Sequence, residues 1–521
     1  MSWLFFAARH ASRAGLAGLL LVTAACDSRE ERAAKLAQTA QAQAEAGDLN
    51  AAGRSIAEAI RARDDIPDYY VLQGQIQLAT KNIGQAYQSY KAALALDQSN
   101  QEALALVSNI AFRVGQLEEA TQTADQLLAL NPDSVPALQV KALVALQKRR
   151  LDDALDQADR ILKLNPQDEG GLLIRSRALA LQGKIPEAID VINKLVAVNG
   201  QTVTTLSTLT NIYRETRDAP SMRVTLRQQI EKAPQDFSAR LDYANLLYKM
   251  RQFAEARAVL ADILMADVPT ILIHQQVTRL WTEFDNAPLP PALLDKVARE
   301  ANTGALETVL RHFLLAGQYR TGEMIIARMP QAPRATLAPL LGRYRLAAGD
   351  RAGARAIAAS ALAKDAANVD ALLLSAAVDT ADRRPAQAII HGQMAVSNDP
   401  LNPDAYIVLA RAHQAKGETW RARQVMEEGL KRIPQSQYLY DAYLPFLHRL
   451  GARDRAVMLA RSLTRVSPAS VKAWDRLVAE CTSFDASCIA ESQSGKSVAE
   501  KTYVLDDTPG TAQDRGLFGR L

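Results

Sequence analysis

The chain has 521 residues, 48% of them hydrophobic but only 5% aromatic, enough apolar material for a continuous core packed through alanine and aliphatic side chains. Its formal net charge of +4 comes from basic and acidic residues interspersed throughout, with no basic stripe interleaved with aromatics, which excludes a nucleic-acid surface. No stretch pairs period-two alternation with hairpin chemistry, so the class is all-α.

At the N-terminus, Arg9 and Arg13 precede an uncharged run, residues 14–25, that is too short to span a bilayer and ends in small residues. Residues 1–25 therefore read as a secretory signal, whose removal lowers the net charge to +2. The sequence Leu21-Val22-Thr23-Ala24-Ala25-Cys26 resembles the lipobox of bacterial lipoproteins, although Thr23 stands where Leu is usual. That resemblance implies lipid attachment at Cys26 and a short linker over residues 26–32; the alternative is an ordinary cleaved signal with Cys26 spare. By the rule for enteric lipoproteins, Asp27 in the second mature position favours the inner membrane, with the outer membrane as the alternative. With Cys26 acylated, Cys481 and Cys488 remain as an even pair in an oxidising compartment and are candidates for a disulfide.

Residues 33–270 hold seven units of 34 residues without insertion or deletion, starting at Ala33, Pro67, Gln101, Val135, Glu169, Val203 and Phe237. In the unit 101–134, Leu104, Val107 and Ala111 form one apolar face, Gly115 breaks the chain, Ala120 and Ala124 recur at helical spacing, and Pro132 stops it. Each unit is thus two helices and two turns. Aligning the units gives a small-residue column, Ala52, Ala86, Ala120, Ala154, Ala188, Met222 and Ala256. The turn inside the unit carries Gly47, Gly115 and Gly183, with Lys81, Arg149, Arg217 and Arg251 in the others, where a helix end wants positive φ. A fixed period in this range predicts a solenoid, each unit burying its faces against its neighbours.

The small residue in each helix and the proline at the unit's end, seen in Gly74, Ala86, Tyr90 and Ala93 and in Ala142, Ala154, Ala158 and Pro166, resemble the tetratricopeptide repeat. The resemblance covers most of the chain and implies a right-handed α-solenoid of antiparallel helix pairs, about 13 repeats plus a C-terminal cap. Residues 271–334 lose the register and fit two divergent units of 32 residues, with Asn286-Ala287-Pro288-Leu289-Pro290-Pro291 forcing a longer loop. A hinge near Trp281 and Phe284 is the alternative there. The period returns in four units over residues 335–470, residues 471–491 form capping helices, and residues 492–521 are polar and expected to be unstructured.

Chemistry is sparse. The six histidines, His10, His274, His312, His391, His413 and His448, include no two at metal-ligand spacing on one helix. Ser494-Gly495-Lys496-Ser497 fails as a phosphate-binding loop, because Ala490 occupies the position of the earlier glycine and no strand precedes it. No catalytic residue, metal site or cofactor is assigned.

Binding is the better expectation. In the tetratricopeptide family the first helices line the groove, and their ninth position here reads Gln41, Gln75, Asn109, Leu143, Arg177, Asn211 and Asn245. Amides offer donor and acceptor together, so the row suits the backbone of an extended segment. The twelfth position, which includes Phe112 and Tyr248, offers mostly apolar neighbours. The carboxylate clamp of chaperone-binding repeats is not expected, since Ala37, Val71 and Ala105 stand where a lysine would be needed. The resulting expectation is a non-catalytic scaffold, lipid-anchored and facing the periplasm of a bacterial envelope, that binds an extended peptide or partner subunits of an export or assembly machine. By architecture it resembles the repeat lipoproteins that accompany exopolysaccharide export and its linked protein sorting. Pilus or secretion assembly lipoproteins, outer-membrane-protein assembly factors and, from another class, envelope carbohydrate-active or peptidoglycan enzymes are the alternatives.

Overall fold

The turn column explains the architecture. Every one of its members, Gly47, Lys81, Gly115, Arg149, Gly183, Arg217 and Arg251, has positive φ in the computed structural model, which describes residues 29–481 and 485–504. At Gly115 the amide of Gln116 donates to Ala111 O at 2.8 Å and that of Gly115 to Phe112 O at 3.1 Å, the paired bonds of a Schellman motif. The same pair recurs at Lys81, with Asn82 N donating to Gln77 O and Lys81 N to Leu78 O. Reversal of the chain after one residue forces the next helix back along the first.

The only regular elements among the described residues are helices, with no strand, and these residues divide into two compact units at the boundary between Ala178 and Leu179. In the first unit α1 (Arg29–Glu45) pairs with α2 (Leu49–Ala62) and α3 (Pro67–Ala79) with α4 (Ile83–Leu96). Next α5 (Gln101–Arg113) pairs with α6 (Leu117–Leu130) and α7 (Val135–Gln147) with α8 (Leu151–Leu164). The boundary falls inside α9 (Glu169–Leu181).

In the second unit α10 (Ile185–Asn199) precedes the pairs α11 (Val203–Glu215) with α12 (Ala219–Lys232) and α13 (Phe237–Lys249) with α14 (Phe253–Met265). The divergent segment forms α15 (Ile271–Phe284), α16 (Pro291–Glu300), α17 (Thr303–Leu315), α18 (Tyr319–Arg328) and the short α19 (Gln331–Thr336). Regular pairs resume with α20 (Ala338–Ala347) and α21 (Arg351–Lys364), then α22 (Val369–Ala381) and α23 (Pro385–Asn398). They end with α24 (Pro403–Ala415) and α25 (Thr419–Arg432), α26 (Gln437–Arg449) and α27 (Arg453–Val466), and the terminal α28 (Val471–Glu480) and α29 (Ala486–Glu500). Helix pairs stacked in this way make each unit an α-solenoid of repeats.

Packing follows the small-residue column. Ala52, Ala86, Ala120, Ala154, Ala188, Met222 and Ala256 are all fully buried, as are Ala354, Ala388, Ala422 and Ala456 in the later units. Short side chains there let helices approach closely. Gly74 shows how closely, since a Cβ at that position would lie 2.7 Å from the buried ring of Tyr90.

Residues 271–334, read from the sequence as two divergent units with a hinge as the alternative, fold into the helices from α15 to α19. They lie in the middle of a continuous core that runs from Ala219 to Tyr344 and buries Trp281, Phe313 and Leu310 completely. The long loop is pinned: Arg257 donates to both oxygens of Asp285 at 2.6 and 2.9 Å, Gln318 holds Asn286 O at 2.9 Å, and Leu289 is buried. The tail also departs from expectation, because residues from Ser492 to Glu500 continue α29. Trp474 of α28 packs against Gly495, where a Cβ would come within 2.3 Å of its ring, and the disulfide Cys481–Cys488 joins the two helices. The expected signal, Cys26 and the last part of the tail lie outside the described residues.

Candidate functional site

In the first unit the amides of the ninth position stand on neighbouring first helices. Gln41 on α1, Gln75 on α3 and Asn109 on α5 are all exposed. Gln41 Nε2 donates to Glu45 Oε1 at 3.1 Å, and Gln75 Nε2 to Glu102 Oε1 at 2.6 Å. Beside them runs a cleft of about 660 Å³ whose wall includes Ala37, Tyr69, Leu72 and Ile76, with the carboxylates of Glu45, Asp68 and Glu102. The surface therefore combines side-chain amides, an apolar wall and negative charge. Arg177, on α9, is half-buried. Phe112 is only 8% exposed and belongs to the packing between helices, which removes it from the candidate contacts. Its position on the twelfth residue of the unit turns it inward, where an aromatic side chain gains more from burial than from waiting for a ligand.

In the second unit the same columns have another fate. Asn211 is half-buried and accepts a hydrogen bond from Arg214. Tyr248 is 2% exposed, stacked on Phe284 with ring centroids 5.3 Å apart, and donates to Asp285 Oδ2 at 3.3 Å. Burial, then the Asp285 charge, pushes its hydroxyl pKa upward. It too is a core residue rather than a groove contact. Asn245 is 1% exposed, and both atoms of its amide lack a hydrogen-bond partner among the described residues.

What covers Asn245 is the end of the chain. Lys249, four residues along α13, donates to Ala469 O at 3.1 Å, to Ala499 O at 2.8 Å and to Thr502 O. Arg214 Nε donates to Tyr503 O at 3.1 Å. From α15, Glu283 accepts from Ser470 Oγ at 2.6 Å and Lys472 N at 3.0 Å, while Lys472 Nζ donates to Thr282 O at 2.8 Å. Burial lowers the Lys472 pKa, with Asp441 acting in the opposite direction. Lys249, Glu283 and Lys472 escaped the reading of the sequence because the contacts of Lys249 join residues 220 to 253 positions apart, and no local period encodes them.

The histidines are placed singly. His391 lies 2.9 Å from Asp379, His413 2.7 Å from Glu418 and His448 2.9 Å from Glu480, while His274 and His312 are buried. Among the described residues no group of three or more His, Cys, Asp or Glu side chains could hold a metal ion, and no helix is long and apolar enough to cross a membrane.

Residues 77–145 and 223–280 match one model of the tetratricopeptide repeat, and residues 140–201 match another. No curated protein matches the chain. Solved structures similar to parts of it include PilW, described as a widely conserved type IV pilus biogenesis factor, at 18% identity over 39% of this chain and 94% of that one, with a TM-score of 0.34. PilF of Pseudomonas aeruginosa is 18% identical over 40% of this chain and 94% of its own, with a TM-score of 0.33. YrrB, described as a repeat protein with an unusual peptide-binding site, is 15% identical over 33% of this chain and 90% of its own, with a TM-score of 0.31. The stretches that match tetratricopeptide-repeat models, residues 77–201 and 223–280, are built of stacked antiparallel helix pairs.

Proposed function

We propose that the chain is a non-catalytic scaffold, anchored through a lipid on Cys26 at the periplasmic side of a bacterial envelope membrane, that grips an extended peptide segment of an export or assembly machine. The observation that carries this reading is the exposed row Gln41, Gln75 and Asn109 of the first unit, with Gln41 and Gln75 lining the cleft. Side-chain amides at successive first helices can pair with alternate main-chain groups of an extended segment without reading its sequence. Glu45, Asp68 and Glu102 beside them favour a segment that carries lysine or arginine. The Cys481–Cys488 bond fits an oxidising compartment, and two or more acyl chains on Cys26 would hold the scaffold stably at a membrane. The inner membrane is favoured by Asp27, and exopolysaccharide export is the pathway preferred, on architecture alone, over pilus or outer-membrane assembly.

Two measurements test it. Mass spectrometry of the mature N-terminus is expected to find acylated Cys26; an unmodified chain, or one starting elsewhere, removes the anchor. A photo-cross-linker at Asn109 is expected to capture a partner that the same group at Gln122, exposed on α6, does not, with Glu102→Gln reducing the yield. Equal capture from both positions refutes the groove.

A further inference from the structure

The second unit presents the same kind of face as the first, but it is already filled. Side chains from α11, α13 and α15 receive two helix ends of the same chain. Lys249 Nζ donates to the carbonyl oxygens of Ala499 and Thr502, and Arg214 Nε, whose terminal nitrogens hold Asn211 and Asp242, donates to that of Tyr503, at and just beyond the C-terminus of α29. Helix C-termini leave carbonyls without intrahelical donors and carry the negative end of the dipole, so cations are the groups that recognise them. Glu283 does the converse at the N-terminus of α28, accepting from Ser470 and from the amide of Lys472. The negative charge there meets the unsatisfied amides of a first turn.

Three further features separate this contact from ordinary repeat stacking. It joins residues 187 to 289 positions apart, where repeat neighbours lie about one period apart. At its main points it is polar: of the recognised groups on the C-terminal segment, all but the Ser470 hydroxyl and the Lys472 ammonium belong to the main chain. And its fit is incomplete. Asn245 borders a void of about 20 Å³, together with Lys249, Glu283, Ser470 and Val504, and its buried amide is left without a partner among the described residues. Buried amides normally find partners, so one without any in a binding face marks a group that another occupant could satisfy.

We propose that the face formed by α11, α13 and α15 is a receiving surface for the C-terminal end of a helix and the few extended residues after it, and that residues 467–481 and 485–504 occupy it in cis as a displaceable latch. A partner presenting a helix C-terminus competes for Lys249 and Arg214, and it pairs its main chain with Asn245. Because main-chain carbonyls are what these cations bind, the surface selects helix ends rather than a side-chain sequence. The inference stands apart from the use proposed for the first unit, and its failure leaves that use untouched.

The test uses the full-length protein and a fluorescent synthetic peptide of residues 485–504. Wild-type protein is expected to bind the peptide weakly, its surface being occupied. Gly495→Leu lies outside the receiving face and drives α29 from Trp474, so it is expected to tighten peptide binding about tenfold or more, through opening of the latch alone. Adding Lys249→Met to that variant is expected to abolish the gain. Hydrogen exchange read in parallel is expected to speed up over residues 486–500 in Gly495→Leu while α13 stays protected. The proposal is overturned if the peptide binds Gly495→Leu no better than wild type, if binding survives Lys249→Met, or if α13 loses protection together with α29, which would make the segment a fixed part of the fold.

Discussion

His312 Nδ1 on α17 lies 2.7 Å from the hydroxyl of Tyr438 on α26, 126 positions further along the chain. The imidazole is 4% exposed, its Nε2 has no hydrogen-bond partner among the described residues, and Trp281 and Phe313 flank the ring. Burial, with Lys472 nearby, pushes its pKa down to about 3 from 6.5. The neutral ring accepts from Tyr438, whose own pKa burial pushes up to about 12. Below pH 6.5 the unfolded chain binds a proton that the folded chain refuses until about pH 3, so stability present above pH 6.5 is lost as pH falls through that window. Between pH 6.5 and 5 the loss is on the order of 2 kcal/mol. Denaturant titrations at the two pH values are expected to show it, and His312→Gln to flatten most of the difference. His274, lowered by burial, leaves a smaller residue of the same sign. An unchanged slope in His312→Gln would refute the assignment.

Arg343 and Asp404 form a pair buried at 8% and 0% exposure, and Asp404 Oδ1 has no hydrogen-bond partner among the described residues. Removing the cation strands the carboxylate, so Arg343→Met is expected to cost about 3–5 kcal/mol in urea unfolding. The double variant Arg343→Met, Asp404→Leu is expected to recover most of that loss, because two apolar side chains no longer bury a charge. Equal instability in the single and double variants would mean that packing volume, and not the charge, governs the site.

Lys81 and Arg383 adopt positive φ of 63° and 59° at turns where Gly47 and Gly115 stand in other units. A Cβ in that region is strained against the following carbonyl. Lys81→Gly and Arg383→Gly are each expected to stabilise by about 0.5–1 kcal/mol, the relief of strain exceeding the extra entropy of the unfolded glycine. Gly115→Ala is expected to destabilise by a similar amount, since its φ is 81°. Thermal midpoints of the three variants give the signs directly.

The sequence by itself determined everything that repeats. Period, turn chemistry and the buried alanine column are local, so each can be read within one unit: a residue at C′ needs positive φ whatever lies beyond, and Ala154 is small because α8 must approach its neighbours. It also singled out Gln41, Gln75 and Asn109, which remain on the surface. Where the period failed, at residues 271–334, the sequence left a stack and a hinge as alternatives, and the structure places Trp281, Leu310 and Phe313 of that stretch in one core. The tertiary structure alone decided that Asn245, in the same column as the exposed Gln75, is covered, and that Lys249 meets Ala499. Those outcomes depend on contacts between helices far apart in the chain, and a column in a repeat alignment records only what a residue's own unit and its neighbours require.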